Sequence, residues 1–244
     1  MKKLILFFLF VNTGISQSYP DWFLNPDKID CNELAVGYAI HGYYMDSLFT
    51  NAIQNSFENY VKNKECVIKG SQLFHATEIG TFWIGSDIKI QFDSSQVNHN
   101  SRRLVYKEHF NSGHSIIVLA APVSFKLKKS EKKIIDVTTI GRPSWINSLP
   151  ENSNYLYAVG RAPSYYYESS SWLEAENAAR INLAKQVAVT IKTLQKKDNF
   201  EGQEIRLEEI SVRLRNIKIA ARWVDVMNNI FYVLVKTNNY EMVK

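Results

Sequence analysis

The chain has 244 residues, of which 45% are hydrophobic and 13% aromatic, so it can build a packed core and is not a globally disordered chain. Its formal net charge is +5, which falls to +3 without Lys2 and Lys3. This small positive balance argues against the clustered positive field of a dedicated nucleic-acid binder. We therefore expect a globular protein that does not bind nucleic acid.

The N-terminus has the pattern of an export signal. Lys2 and Lys3 precede an apolar run at residues 4–11, and Gly14-Ile15-Ser16 has the small-x-small pattern of a signal peptidase site. The run is much shorter than the roughly 20 apolar residues of a membrane-spanning helix. We predict a signal peptide at residues 1–17 and no integral membrane span after its cleavage. Retention of this segment as an anchor is the alternative.

The two cysteines of the chain, Cys31 and Cys66, leave two interpretations open. Cys31 lies too far beyond the apolar run to be the lipidated first residue of a mature lipoprotein. An oxidising envelope would permit a disulfide between the two, which would stabilise the fold by about 3–4 kcal/mol in the chain-entropy model. Two separately buried, unreactive thiols are the equal alternative.

An internal repeat predicts the architecture. With Trp22 aligned on Trp145, an offset of 123 positions, the 40 residues from Pro20 match those from Pro143 without a gap at 11 identical positions. The other identities include Ala35-Val36-Gly37 with Ala158-Val159-Gly160, Ala39 with Ala162, Tyr43-Tyr44 with Tyr166-Tyr167, Ser47 with Ser170, Ala52 with Ala175 and Asn59 with Asn182. The match indicates a duplication.

Each copy follows the same order of elements. A Pro-x-Trp segment precedes a short apolar strand, at residues 34–39 or 155–162, whose glycine indicates a bulge or a close backbone approach. A tyrosine-rich loop, a long helix and a hairpin follow. We predict an α+β fold of two tandem β-α-β-β repeats, at residues 18–124 and 143–244, each with a helix on a mostly antiparallel sheet.

The helix of the second copy has the clearest signals. Ser171 and Glu174 form a capping box. Apolar residues then recur at steps of three and four, which predicts one buried stripe made of Trp172, Ala175, Ala179, Leu183, Val187, Ile191 and Leu194. The first helix repeats this design after Asp46 or Ser47.

Hairpins are predicted near the end of each copy. Residues 217–223 alternate between apolar and polar, and residues 230–237 return as a β-rich run. The corresponding pair in the first copy is residues 104–110 and 114–121. Further apolar runs at residues 73–83 and 87–92 have no counterpart in the second copy.

A lysine-rich segment separates the copies at residues 125–142. We interpret it as a basic linker or an edge strand whose lysines discourage aggregation. The alternative is contact with an anionic partner.

The order of residues in the second copy resembles a known family. The residues that carry the resemblance are Pro143-x-Trp145, Tyr157-Ala-Val-Gly160-x-Ala162 and Trp172-x-x-Ala175-x-x-Ala178-Ala179-Arg180-x-x-Leu183-Ala184. This order resembles the Lpp-twenty (LPP20-like) family of small bacterial envelope lipoproteins, whose domain is similar to the N-terminal domain of flagellar assembly protein T. The resemblance implies an α+β domain in the cell envelope, generally without assigned enzymatic activity. This chain lacks the family's lipidated cysteine.

No catalytic or metal-binding motif is present in the sequence. The phosphate loop, the dinucleotide-binding glycine motif and the Gly-x-Ser-x-Gly motif are absent. His109 and His114 flank a predicted turn, but two imidazoles without a third ligand are expected to be exposed hairpin residues. Glu208-Glu209 lies in a charge-rich stretch that indicates a solvated face. We expect no cofactor and no metal.

The tyrosines of the repeated loop are the candidate binding residues: Tyr43, Tyr44, Tyr165, Tyr166 and Tyr167. Exposed tyrosines offer flat amphipathic surfaces to a glycan, a peptide or a protein. The favoured alternative is that they plug one end of each core. Trp22 and Trp145 are likewise expected to be buried anchors.

These features predict a non-enzymatic exported protein of the periplasm or cell envelope, or a secreted one. Its expected role is that of a scaffold or binding module for envelope proteins or wall components. The alternative is a secreted hydrolase of glycans or peptides, which requires two carboxylates in reach of one another, or a nucleophile beside a base, in a deep pocket.

Overall fold

A computed structural model describes most of the chain and shows an α+β fold. The described residues are 17–40, 45–77, 80–113, 115–193 and 204–243. Nearly all of the predicted signal peptide therefore lies outside the described residues, as do Tyr43, Tyr44 and His114. Within the described ranges, no helix is both long and apolar enough to cross a membrane.

The described residues form four α-helices and twelve strands. The helices are α1 (Asp21–Leu24), α2 (Met45–Lys64), α3 (Ser95–Asn100) and α4 (Glu168–Thr193). The strands are β1 (Ser18–Pro20), β2 (Ala35–Ile40), β3 (Glu65–Thr77), β4 (Gly80–Gln91), β5 (Leu104–Asn111), β6 (Ser115–Pro122), β7 (Ile134–Asp136), β8 (Leu156–Pro163), β9 (Glu204–Arg215), β10 (Lys218–Asp225), β11 (Ile230–Thr237) and β12 (Asn239–Met242).

Two three-stranded antiparallel sheets each carry one long helix. Helix α2 packs on the sheet β2-β6-β5, and helix α4 packs on the sheet β8-β11-β10. The predicted hairpins near the ends of both copies are confirmed as β5 with β6 and β10 with β11. In each sheet the strand that precedes the helix pairs with the second strand of the hairpin, so the two sheets have equivalent strand orders.

The predicted arrangement of two separate β-α-β-β repeats is not confirmed, because a further sheet joins the two parts of the chain. Strands β3 and β9, which follow the two long helices, pair with each other from Glu65 opposite Arg215 to Ala76 opposite Glu204. Strand β4 extends this sheet on one side and β12 extends it on the other. The described residues of the runs predicted at 73–83 and 87–92 lie in β3 and β4, apart from Phe92, which follows β4.

The lysine-rich segment between the predicted copies is anchored near its middle. Strand β7 pairs with β1, and the Asp21 amide donates to the Lys133 carbonyl at 2.8 Å. The lysine side chains that precede β7 in this segment are all exposed: Lys126, Lys128, Lys129, Lys132 and Lys133. The segment is thus partly an edge strand and partly a solvated connection.

Helix α4 begins three residues before the predicted cap. It starts at Glu168, so Ser171 lies inside its first turn, where the Ser171 Oγ accepts a hydrogen bond from the Tyr165 amide at 2.8 Å. The predicted capping box is therefore wrong. The apolar stripe is confirmed where its side chains are described, at Trp172, Ala175, Ala179, Leu183 and Val187.

Aromatic residues fill the centre of the core beneath α4. Trp172 is fully buried, and its ring meets those of Phe23 at 5.0 Å and Phe231 at 4.8 Å, both nearly edge-on. Trp22 is buried as predicted, whereas Trp145 is only half-buried. The largest apolar cluster includes residues from both predicted copies, and two smaller clusters lie within the first copy.

Glycine sets the distance between each long helix and its sheet. A Cβ atom at Gly37 would lie 2.0 Å from the Ala52 carbonyl oxygen, and one at Gly160 would lie 2.0 Å from the Ala175 carbonyl oxygen. No Cβ tolerates such a contact with helix backbone, so the helix must move if either glycine is replaced. The predicted close backbone approach at these glycines is confirmed.

We expect Gly160→Ala to destabilise the protein, because α4 would have to shift away from β8. Forced overpacking of this kind costs about 1–3 kcal/mol or more in the free energy of unfolding. Gly141→Ala is the matched control, since a Cβ there meets nothing within 4 Å. Urea denaturation measures both variants. Equal stability of the two would contradict the importance of this contact.

Candidate functional site

A buried ionic cluster joins the two predicted copies. The Glu176 carboxylate of α4 accepts hydrogen bonds from the Tyr38 hydroxyl at 2.6 Å and from Arg222 Nη2 at 2.7 Å, both at Oε1. Arg180 Nη2 donates to the other carboxylate oxygen at 3.2 Å. The side chains of Glu176, Arg180 and Arg222 are completely inaccessible to solvent. Strand β2 of the first copy and strand β10 of the second therefore meet at one carboxylate.

Further contacts fix the two guanidinium groups. Arg222 Nη1 donates to the Phe23 carbonyl at 2.7 Å, and its guanidinium lies 4.4 Å from the centre of the Phe23 ring. Arg180 Nη2 donates to Asn63 Oδ1 of α2 at 2.7 Å. The cluster therefore ties together α1, α2, β2, α4 and β10.

The cluster is ionised rather than poised for proton transfer. Burial acts to raise the pKa of Glu176, but Arg222, Arg180 and the Tyr38 hydrogen bond outweigh it and hold that pKa below its ordinary value. Burial raises the pKa of Tyr38 well above its ordinary value, so Tyr38 remains a donor to Glu176. A general acid or base needs a pKa near the working pH, which Glu176 does not have.

A cavity of about 390 Å³ lies beside this cluster, between the two predicted copies. We call it the junction cavity. Its lining includes both parts of the chain: Pro26, Asp27, Lys28, Ile29, Asp30, Cys31, Asn32, Leu34, Val36, Asn59, Asn63, Glu176, Ile217, Lys218, Ile219 and Arg222. Its charged residues are three acids and three bases, so the lining is formally neutral.

Two buried polar atoms of residues that line the junction cavity have no protein partner. Among the described residues, nothing hydrogen-bonds to Arg222 Nε or to Asn59 Oδ1. The Asn59 orientation is fixed, because its Nδ2 donates to the Val36 carbonyl at 2.9 Å. Both atoms have almost no accessible surface, so the protein itself encloses them.

The two cysteines are free thiols in the structure and lie in different surroundings. Cys31 is half-buried and lines the junction cavity, whereas Cys66 is buried on β3. Burial raises the pKa of Cys66 to about 11, so at neutral pH it is an uncharged and poorly nucleophilic thiol. The expectation of a buried, unreactive thiol therefore fits Cys66 but not Cys31, which is only half-buried.

The described tyrosines of the repeated loop form a surface of their own. Tyr165, Tyr166 and Tyr167 are 46%, 91% and 42% exposed, so the expectation that they plug the core is wrong for this copy. The rings of Tyr166 and Tyr167 meet edge-on at 4.9 Å. Together with Ser170, Leu173, Glu174 and Asn177 they line a shallow depression of about 470 Å³. We call this the tyrosine surface.

The residues considered for metal binding or catalysis do not assemble a site among the described residues. His109 lies on β5, with its Nδ1 2.7 Å from the Tyr106 hydroxyl, and His114 is outside the described part of the chain. Glu208 and Glu209 lie on β9 and are at least partly solvated. No group of three or more potential metal ligands occurs in the described ranges.

The ionic cluster was not predicted from the sequence. Glu176 and Arg180 are four residues apart on a helix, a spacing that normally indicates a solvated ion pair. Each directly follows a member of the buried stripe, Ala175 or Ala179, and this is the signal that could have placed them inside. Nothing local indicates that Tyr38 and Arg222 meet them.

A comparison with protein families matches the second part of the chain. Residues 143–238 match the LPP20 lipoprotein family, in agreement with the resemblance found in the sequence. The matched segment contains the tyrosine surface, Glu176 and Arg222, but neither Tyr38 nor Asn59. The similarity to flagellar assembly protein T is not confirmed. No curated protein and no solved structure matches the chain.

We expect Glu176→Gln to cost about 3–5 kcal/mol in the free energy of unfolding, because it leaves two buried guanidinium groups without their counter-charge. Glu174→Gln, two residues earlier on an exposed face of the same helix, is the matched control. Thermal and urea denaturation measure both. A loss below about 1 kcal/mol is typical of exposed ion pairs, and it would contradict a large contribution of the cluster to the free energy of unfolding.

The same carboxylate predicts a pH dependence. Because the pKa of Glu176 is lower in the folded than in the unfolded protein, its contribution is complete above the unfolded value of about 4.3 and is lost as the pH falls toward the folded value. We expect stability to decline below about pH 4 with a steeper slope in the wild type than in Glu176→Gln. Urea midpoints across this range measure it, and parallel pH profiles would refute it.

Proposed function

We propose that this chain, whose residues 143–238 match a lipoprotein family, is an exported, non-enzymatic protein of the cell envelope that binds an envelope protein or a wall component. The family match supports the envelope location. The observation that carries the binding role is the tyrosine surface, where three consecutive tyrosines are exposed at the start of α4.

The tyrosine surface has the composition of a protein or glycan contact. Tyrosine combines a large apolar ring with a polar hydroxyl and loses little conformational entropy on binding, so it is enriched at interfaces. Leu173 adds an apolar side chain to the lining, and Ser170, Glu174 and Asn177 add polar groups. The surface can thus bury apolar area and also make hydrogen bonds.

The loop that carries these tyrosines is held by its own hydrogen bonds. The Tyr165 amide donates to Ser171 Oγ at 2.8 Å, and the Ser170 amide donates to the Tyr167 carbonyl at 3.0 Å. A loop fixed to the first turn of a helix loses less entropy on binding than a free one. This favours recognition of a partner by the loop as it stands.

The hydrolase alternative receives less support from the junction cavity. Both oxygens of Glu176 are occupied by basic or hydroxyl donors, and its pKa lies below the ordinary value. Asp27 is engaged with Lys236 at 2.7 Å. A glycosidase-type pair needs one carboxyl held protonated, and Glu176 has the opposite tendency.

We expect replacement of Tyr165, Tyr166 and Tyr167 by serine to reduce capture of the envelope partner by at least about tenfold, because the central aromatic contacts of an interface usually dominate its affinity. The measurement is crosslinking in intact cells, followed by mass spectrometry of the attached proteins and by binding to purified wall fragments.

Tyr240→Ser is the matched control, since Tyr240 on β12 is 45% exposed and lies outside the tyrosine surface. Circular dichroism verifies that all variants are folded. If the triple variant retains every crosslink and all binding to wall fragments, the tyrosine surface is not the binding site. If the wild type captures nothing specific in either assay, the binding role itself is refuted.

A further inference from the structure

The tyrosine surface continues into a second depression, which is lined by α2 and α4. This depression has a volume of about 460 Å³, and its lining includes Asn51, Gln54, Asn55 and Glu58 of α2 with Ser170 and Leu173 of α4. We call it the polar groove. Ser170 and Leu173 also line the tyrosine surface, so the two depressions meet at these residues. A ligand bound at the tyrosines can therefore extend along α4 and reach α2.

The combined site has the dimensions of an extended ligand. Ser170, Leu173 and Asn177 recur at steps of three and four on α4, so they lie on one side of the helix. They span about 10 Å along the helix axis. Each depression also falls within the range of roughly 300–1,000 Å³ that is usual for small-molecule sites. The site can thus hold several linked units of a chain molecule.

Two asparagine side chains are held with their NH₂ groups available to a ligand. Asn55 Oδ1 accepts from the Tyr38 amide at 2.9 Å and from Asn59 Nδ2 at 3.2 Å, and Asn177 Oδ1 accepts from Arg180 Nη1 at 3.2 Å. Both asparagines are only half-buried, and the protein does not enclose either Nδ2 atom. Because the oxygen of each amide is turned toward the protein, its Nδ2 is left as an oriented donor.

The charged residues of the site are acceptors. Glu58 lines the polar groove and Glu174 lines the tyrosine surface, and none of the described residues that line either depression is lysine, arginine or histidine. The lining is therefore negative, which opposes an anionic ligand. A hydroxyl group both donates and accepts. A neutral ligand that carries many hydroxyls can use the asparagine donors and the glutamate acceptors together.

Recognition of a peptide by strand addition is not open beside the polar groove. Strand β2 lies at the edge of its sheet, but its Tyr38 amide donates to Asn55 Oδ1 and its Val36 carbonyl accepts from Asn59 Nδ2. The backbone groups that an added peptide strand would need are thus already bonded. A sugar ring needs no such edge, because it presents an apolar face of C–H groups to an aromatic ring and hydroxyls at its rim.

We propose that the tyrosine surface and the polar groove together bind a neutral oligosaccharide. Its rings stack on the exposed tyrosines, and its hydroxyls accept from the two asparagine Nδ2 atoms and donate to the carboxylates of Glu58 and Glu174. This inference rests on the proposed function, and it narrows the partner of the tyrosine surface to a neutral glycan.

The first experiment compares probes of different charge and class. The neutral probes are the trisaccharide of N-acetylglucosamine and maltotriose. A hyaluronan tetrasaccharide is the anionic comparison, because it shares N-acetylglucosamine but adds a carboxylate in each disaccharide, and acetyl-Ala-Lys-Ala-Lys-amide is the peptide comparison. We expect at least one neutral trisaccharide to bind at millimolar concentration or below, and both comparison probes to bind at least about tenfold more weakly.

Binding is measured on the full chain by backbone ¹H–¹⁵N chemical shifts, which also locate the site without any substitution. We expect the largest shifts at Asn51, Asn55, Tyr166 and Leu173, and none at the junction cavity. Equal or tighter binding of the hyaluronan probe or of the peptide would overturn recognition of a neutral glycan. No saturable shift with either trisaccharide, or shifts only elsewhere, would overturn the site.

The second experiment removes polar side chains from the groove without touching the tyrosines. Asn51→Ala combined with Gln54→Ala should weaken the neutral trisaccharide at least about fivefold, because two exposed hydrogen-bonding side chains are lost. Gln96→Ala combined with Asn98→Ala is the matched control, since both residues are exposed on α3 and line neither depression. Circular dichroism verifies folding. Unchanged affinity in the α2 variant would contradict the role of the groove, and the shift map decides independently.

The failure of this inference differs from the failure of the proposed function. Capture of an envelope protein or of wall fragments, with no binding of either trisaccharide, refutes the glycan inference and leaves the proposed function standing. Binding of a trisaccharide without capture of any partner or wall fragment refutes the proposed envelope role and leaves the glycan site standing.

Discussion

The Glu176 carboxylate is the contact on which the joined structure depends. It is an ion without solvent access, and its burial alone would favour the neutral acid. Its pKa is nevertheless held below the ordinary value, so the attraction of Arg222 and Arg180 and the Tyr38 hydrogen bond exceed the cost of desolvation. The carboxylate can be satisfied only when β2, α4 and β10 are all in place. It thus makes the arrangement of the two parts specific as well as stable.

Such a cluster is a different kind of contribution from apolar packing. Buried ion pairs often add little stability compared with apolar residues of the same volume, whereas removal of one partner is costly. The aromatic group around Trp172 and the glycine contacts supply packing that does not depend on charge. We interpret the ionic cluster as the feature that selects one way of joining the copies. Packing then stabilises the arrangement that was selected.

The predicted duplication clarifies where the two parts agree and where they differ. The glycine contact recurs at Gly37 and Gly160, and Asn59 and Asn182 donate to the carbonyls of Val36 and Val159 at 2.9 and 2.8 Å. These contacts occur at equivalent positions of the sequence alignment. The ionic cluster has no such equivalent, because the alignment places Ile53 and Phe57 at the positions of Glu176 and Arg180. The glycine and asparagine contacts between helix and sheet therefore occur in both parts of the chain. The ionic residues Glu176 and Arg180, which join the two parts, occur only in the second.

The difference between contacts within one part and contacts between the parts also explains how much of the structure could be predicted from the sequence. The α4 stripe and the paired hairpins follow from local periodicity and were predicted correctly. The pairing of β3 with β9 joins segments far apart in sequence, and no local pattern specifies a strand's partner. The start of α4 was missed because Ser171 has the residue type of an N-cap. In the structure it lies inside the first turn, where its Oγ accepts a hydrogen bond from the Tyr165 amide. Tyr38 and Arg222 were missed because both donate to Glu176, and this contact forms only when the two parts of the chain pack together.

The junction cavity lies between the two parts of the chain, next to the ionic cluster. Val36 and Asn59 reach it from the first part of the chain, and Ile217 and Arg222 reach it from the second. A molecule that occupied this cavity would contact both parts, and by mass action it would favour the joined state over any state in which they have separated. The Glu176 and Arg222 side chains lie beside the cavity but have no solvent access. The contacts that select one way of joining the two parts therefore also fix the position of the cavity between them.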